Sequence, residues 1–116
     1  MLEKEQIKKI ALDYIEGWYE ANQKRMENAL HPKLVKRRFV TTEEIWQVDT
    51  PTMLKITSEG RGKLPEPAKG RKDITILDIQ DKIASVKVHS EKFIDYLLLV
   101  KENNEWKIVD AIWDYI

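Results

Sequence analysis

The stretch "KFIDYLLLVKENNEWKIVDAIWDYI", residues 92–116, decides the fold. Two apolar runs rich in leucine, aromatic and β-branched residues flank Asn103-Asn104, and asparagine tolerates the positive φ that a two-residue hairpin turn needs. A turn there sets Glu102 opposite Glu105 and carries that register along both strands. Successive side chains of a strand point to opposite faces. Phe93, Asp95, Leu97 and Leu99 then share one face with Trp106, Ile108, Asp110 and Ile112. Ile94, Tyr96, Leu98 and Val100 share the other with Val109, Ala111, Trp113 and Tyr115.

Upstream, "DITILDI" (73–79) and "KIASVKVHS" (82–90) read as two more strands. Turns at Asp81-Lys82 and Ser90-Glu91 add Leu77, Ile79, Ala84, Val86 and Val88 to the first face, which is then apolar apart from Asp95 and Asp110. An antiparallel sheet wetted on one side would alternate apolar and polar residues, whereas this one is apolar on both and must be covered on both.

Helices supply one cover. Ile7, Ile10, Ala11, Tyr14, Ile15 and Trp18 recur at helical spacing, with Tyr14 and Trp18 near the centre of the stripe. Gly17, costly in a helix, implies a close backbone approach. Asn22 caps a second, shorter helix carrying Met26, Ala29 and Leu30, which Pro32 ends by excluding His31 from helical backbone space. "KLVKRRFV" (33–40) suits a strand whose Lys33, Lys36, Arg37 and Arg38 form a solvated or edge-protecting run. "VDTPTMLKITSEG" (48–60) reads as a third helix, with Thr50 as cap, Pro51 at its first position and Gly60 as stop. "RGKLPEPAKGRKD" (61–73) reads as an exposed, mobile loop. Helices followed by a β-meander give an α+β class, one domain over residues 1–116, with helices on one face of a strongly curved antiparallel sheet. No element remains for the second face, so a homodimer through Tyr96, Leu98 and Trp113 is expected.

Twenty Lys plus Arg balance twenty Asp plus Glu, leaving no excess charge for a nucleic acid or an anionic membrane. The chain has no cysteine, which removes disulfides, thiolate metal sites and cysteine nucleophiles. Its charged N-terminus does not read as a signal peptide, and a cytoplasmic protein is expected. His31 and His89 are the two histidines, with no short ligand motif between them, so neither a metal nor another cofactor is expected.

Asp95 and Asp110, diagonal neighbours among Phe93, Leu97 and Trp106, are the candidate catalytic groups. Apolar surroundings raise carboxyl pKa values, which is how a general base is prepared near neutral pH. The same carboxylates would equally serve by bonding Tyr14, Trp18 or backbone groups, or by contacting a ligand. His31 would either face a ligand or bond a nearby carbonyl at the helix end.

"DYIEGWY" (13–19), "ALHPKLVKR" (29–37), "ASVKVHSEKFIDYLLLVK" (84–101) and "WKIVDAIW" (106–113) together resemble the NTF2-like superfamily, and most of all its lumazine-binding branch. The resemblance spans essentially the whole chain. It implies a cystatin-like cone of the kind that SnoaL-type proteins and ketosteroid isomerases share: a long helix and a bent sheet around a pocket, dimerising through the outer face. By position Tyr14, Trp18, His31, Asp95 and Tyr96 fall on its recurrent motif residues. Because the scaffold hosts isomerases, dehydratases, transport factors and assembly domains, it leaves function open. The leading expectation is a small-molecule pocket lined by Tyr14, Trp18 and Trp106, in which Asp95 or His31 orients a flat heterocycle such as a lumazine. A lyase or isomerase with Asp95 or Asp110 as base and Tyr14 or His31 as proton donor is the second expectation, and a dimerisation module with a filled interior is the third.

Overall fold

A computed structural model describes residues 2–116. The first helix, α1 (Glu3–Glu20), buries Ile7, Ile10, Ala11, Tyr14 and Ile15, the stripe read from the sequence. It ends at Ala21 in a left-handed conformation, φ 55°. Asn22 then caps α2 (Gln23–Ala29) by accepting the Arg25 backbone N–H at 3.0 Å. This reversal folds α2 back on α1, and a Cβ at Gly17 would stand 3.0 Å from the Met26 backbone nitrogen. The expected close approach is that contact.

The strands are β1 (Leu30–Thr41), β2 (Glu44–Asp49), β3 (Lys72–Gln80), β4 (Ile83–Ser90), β5 (Phe93–Glu102) and β6 (Glu105–Tyr115), with α3 (Thr50–Ser58) between β2 and β3. They form one sheet in the order β2-β1-β6-β5-β4-β3, antiparallel except for the parallel β1–β6 pair. The helices pack on its concave face as expected. Strand β2 was not anticipated, and by pairing with β1 it removes that strand from the edge. The basic run therefore does not protect an edge, and Lys36 is only 8 % exposed rather than solvated. The cap of α3 is Asp49, which accepts from the Thr52 N–H at 3.0 Å. Thr50 sits inside the first turn and donates its hydroxyl to the His31 carbonyl at 2.6 Å.

Asn103 and Asn104 both take positive φ, 54° and 63°, and the expected register holds from Glu102↔Glu105 to Leu99↔Ile108. The next pair is Leu98↔Asp110, so Val109 is an extra residue, a β-bulge. Beyond it every side chain of β6 exchanges faces relative to the simple register. Ala111, Trp113 and Tyr115 join Leu97, Asp95 and Phe93 on the concave side, while Asp110 and Ile112 turn outward. This corrects the expectation for Asp110, Ile112, Ala111, Trp113 and Tyr115. A second bulge, between the pairs Ile76↔Val86 and Asp78↔Ser85, turns Leu77 out to 51 % exposure and sends Ile76 inward in its place. The β4–β5 turn lies at Glu91-Lys92, two residues' worth of register from the expected one, and preserves the faces.

The loop after α3 is pinned rather than mobile. Tyr19 donates its hydroxyl to the Arg71 carbonyl and accepts the Glu91 N–H at 2.9 Å, and the Leu64 N–H bonds the Tyr19 carbonyl at 3.1 Å. Gly62 lies so close to Trp18 that a Cβ would sit 2.0 Å from the indole nitrogen. Trp106 is 2 % exposed and donates its indole N–H to Glu3 at 2.8 Å, closing the core beneath the start of α1.

Candidate ligand cleft

The residues that β6 turns inward after Val109 help to build an open-mouthed cleft of about 300 Å³ at the end of the concave face where β5 begins and β6 ends. Trp18 of α1, Trp46 of β2, Phe93 of β5 and Trp113 and Tyr115 of β6 supply its aromatic walls. Lys36, Arg38 and Val40 of β1, Glu44 of β2, Met53 and Ile56 of α3, and Arg61 of the following loop complete it. Trp113 is the hub. Its ring centroid lies 5.4 Å from that of Trp46, 5.0 Å from Phe93 and 5.2 Å from Tyr115, in edge-to-face contacts that lock the wall in place. Its buried indole N–H has no acceptor among the described residues.

Two cations are embedded in these rings. The Arg38 guanidinium stands 4.7 Å from the Tyr115 centroid and 5.6 Å from that of Trp113, and bonds Asp114 at 2.9 Å. Lys36 Nζ lies 5.1 Å from the Tyr14 ring centroid, 5.6 Å from Trp113 and 5.9 Å from Trp18. Cations over ring faces gain where water is excluded.

Beneath Lys36 runs a buried polar chain. Lys36 Nζ donates to the Tyr14 hydroxyl at 2.5 Å, and Tyr14 donates to Asp95 Oδ1 at 3.0 Å. The Lys36 nitrogen itself is 3.7 Å from that oxygen. Burial pushes the Asp95 carboxyl up, although Lys36 and Tyr14 oppose it. Burial likewise pushes the Lys36 amine down against the pull of Asp95. Tyr14 is held well above its ordinary value by burial and by the neighbouring carboxylate. Desolvation thus disfavours both ionised ends of the chain, and Tyr14 is the bridge through which one proton can neutralise them together.

The sequence-predicted residues separate. Of Tyr14, Trp18 and Asp95 only Trp18 lines the cleft; Tyr14 and Asp95, 3 % and 2 % exposed, lie buried behind it beneath Lys36. Trp106 belongs to the core beneath α1, away from the cleft. His31 bonds Glu102 at 3.3 Å through Nε2 and accepts the Lys33 N–H at 3.0 Å through Nδ1. His31 lies five residues before Lys36 on β1, roughly 17 Å of extended strand, and its imidazole does not line the cleft. His31 is punctuation. Asp110, 43 % exposed at its side chain, faces outward with Arg37 at 3.7 Å and is not a neighbour of Asp95. Tyr96 is on the convex face, 46 % exposed. No group of three or more His, Cys, Asp or Glu is placed to hold a metal ion among the described residues.

Lys36, Arg38, Trp46 and Arg61 were not singled out from the sequence as cleft residues. A signal for the first two was present: Leu34 is 1 % exposed, and period-two alternation from an inward Leu34 turns Lys36 and Arg38 inward as well. For Trp46 and Arg61 no comparable signal existed, because β2 and the path of the loop were not foreseen.

This is a helix-covered, bent sheet with a cleft at one end, the NTF2-like α+β class. The chain belongs to the family described as "Putative lumazine-binding", whose model matches residues 2–114. Among solved structures it is similar to an NTF2-like protein of unknown function from Shewanella baltica, at 18 % identity and TM-score 0.82, covering 98 % of this chain and 94 % of that one. An NTF2-like protein of unknown function from Methylobacillus flagellatus follows at 19 % identity and TM-score 0.80, covering 98 % and 92 %. A ketosteroid isomerase-like protein from Erwinia carotovora atroseptica superposes at TM-score 0.72 with 11 % identity, covering 100 % and 98 %. These likenesses establish the fold. Among curated proteins none matches.

Proposed function

We propose that this protein binds a small flat heterocycle of the lumazine type, with acidic or carbonyl-bearing edges, in the aromatic cleft. The observation that carries the reading is the combination of three indoles with Lys36 and Arg38 around one cavity of about 300 Å³. That volume is at the small end of ligand pockets. Indole faces suit a planar ring, the two cations suit its electron-rich carbonyl oxygens or an ionised ring nitrogen, and the family description agrees. Titration with lumazine is expected to quench tryptophan fluorescence saturably, and Arg38→Ala to weaken binding by about 3- to 10-fold, the size of a partly desolvated cation contact. Quenching that rises linearly without saturation, or is unchanged in Arg38→Ala, would remove the reading.

A homodimer through the convex face is part of the proposal. Tyr96, Leu98 and Ile112 lie there at 46 %, 50 % and 53 % exposure, an apolar patch that water covers poorly. Trp113 is no longer among its residues. Sedimentation is expected to give a dimer that Leu98→Glu converts to a monomer; a wild-type monomer at high concentration would count against it. A direct base role has no support, since Asp95 does not line the cleft and Asp110 lies on the other face.

A further inference from the structure

The binding reading uses Lys36 only as a charge, and its surroundings suit more than that. Lys36 is the ion-pair partner of Asp95 at 3.7 Å, yet its shorter bond is to the Tyr14 oxygen at 2.5 Å, and Nζ stands among the rings of Tyr14 and Trp113. Its side chain lines the cavity at 10 % exposure, with Nζ held at the buried end against Tyr14. The geometry points to Lys36 as an amine nucleophile that captures an aromatic aldehyde or ketone in the cleft as a Schiff base. The inference rests on the cleft being a small-molecule site and names the reactive class of its ligand.

The chain Lys36–Tyr14–Asp95 supplies each proton that this chemistry requires. The Lys36 ammonium gives a proton to the Tyr14 oxygen as Tyr14 gives its own to Asp95, leaving a neutral amine beside a neutral carboxylic acid. The nitrogen lone pair bonds the carbonyl carbon, the π pair moves to oxygen, and a proton passes from nitrogen to that oxygen to give the carbinolamine. Tyr14 then protonates the hydroxyl, which leaves as water while the nitrogen pair closes the C=N bond, and Asp95 refills Tyr14. Ammonium plus carbonyl has become protonated imine plus water, with Asp95 again a carboxylate and no oxidant or reductant consumed. The iminium charge remains among the rings of Tyr14, Trp18 and Trp113, which favour a cation. A buried lysine is the established way to obtain an amine nucleophile.

Of the other charged or titratable groups facing the cleft, Arg38 of β1 is paired with Asp114, while Glu44 of β2, Arg61 of the loop and Tyr115 of β6 stand around the cavity. The two arginines favour a ligand that carries an anionic substituent as well as its carbonyl. Compounds of the 4-formylbenzoate kind have both.

The test is reductive trapping of the full chain with 4-formylbenzoate and cyanoborohydride near neutral pH, adducts being assigned by peptide mass spectrometry, with and without lumazine. Lys36 is expected to give the dominant adduct and to label faster than any exposed lysine, because burial favours the uncharged amine and the cleft holds the aldehyde beside it. Lumazine is expected to protect it. Lys36→Arg, which keeps the charge, is expected to lose only that adduct. Asp95→Asn removes the charge that holds the Lys36 proton and the acid that refills Tyr14. Its trapping is expected to peak at lower pH and at a lower maximal rate, which a merely structural role of Asp95 would not produce. Saturable lumazine quenching with Lys36 labelled no faster than surface lysines overturns the covalent inference and leaves the binding reading standing. Neither quenching nor selective labelling overturns both. Selective labelling with lumazine inert supports the covalent inference and sinks only the choice of heterocycle.

Discussion

Asp13 and Asp95 are both buried carboxylates, 6 % and 2 % exposed, and the protein treats them in opposite ways. Asp13 on α1 accepts from Lys9 at 3.0 Å, from Arg25 at 3.1 and 2.9 Å and from Asn28 at 2.7 Å. Arg25 reaches on to Glu16, and Lys72 of β3 meets the same Glu16 at 2.9 Å. Burial alone would raise the Asp13 carboxyl, yet the bonds from Lys9, Arg25 and Asn28 outweigh it and hold it below its ordinary value. Asp95 has one hydroxyl donor and one cation at 3.7 Å, and for it burial wins. Both side chains are covered, but Asp95 lies much deeper than Asp13 and has fewer charge-assisted donors. The well-served carboxylate ties α1 to α2, and the under-served one stands behind the aromatic cleft, where the proposal gives it a proton to exchange. Asp13 and Tyr14 are chain neighbours, separated by a helix rotation of about 100° that sends one toward α2 and the other toward the sheet.

The largest test of this contrast is Asp95→Ala, which leaves Lys36 buried without a counter-charge and Tyr14 without an acceptor. A loss of about 3–5 kcal/mol in urea unfolding is expected, the usual cost of halving a buried pair. A loss under about 1 kcal/mol would mean that Asp95 carries no coupled charge. Asp13→Ala is expected to cost less, about 1–3 kcal/mol, the desolvation penalty of orphaned donors. Arg25 is 29 % exposed and keeps Glu16 and Glu20, so it is not stranded as Lys36 is. Reversal of this order in equilibrium unfolding would break the comparison.

How much of this was legible follows from where strand periodicity is trustworthy. The α1 stripe, the Asn22 cap, the Asn103-Asn104 turn and the inward Asp95 were all readable, because each depends on residues within one or two turns of chain. The cleft was not, because a bulge is one unpaired residue with no composition of its own. Val109 looks like any strand valine, yet it moves Trp113 and Tyr115 from the convex to the concave side and Asp110 the other way. Lys36 was misread for a different reason. A lysine in a basic run normally faces water, and only the later pairing of β2 and β6 on either side of β1 shows that this one has rings and a tyrosine for surroundings. Site and error have the same origin: the features that make the cleft are those that break the local rules.

The smallest expected effect separates the two aspartates most cleanly, by sign. An unfolded aspartate titrates near pH 3.9. The native Asp13 lies below that value, so its contribution to stability is complete above about pH 3.9 and disappears as acidification passes through the native pKa. The native Asp95 lies above it, so its contribution is complete below about pH 3.9 and is lost as the pH rises through the native pKa. Urea midpoints measured from neutral pH downward for wild type, Asp95→Asn and Asp13→Asn are the check. The advantage of wild type over Asp95→Asn is expected to grow as the pH falls from neutral toward about 4, while its advantage over Asp13→Asn stays level there and shrinks only on further acidification. At the alkaline end Lys36, depressed by burial, adds its own signature. The native state gives up that proton before the unfolded chain does, so the contribution is complete above about pH 10.4 and is lost as the pH falls through the native value. If the two aspartate variants diverged from wild type in the same direction over the same range, the balance of burial against donors would not be what distinguishes these carboxylates, and the proton-exchanging role given to Asp95 would have to be abandoned.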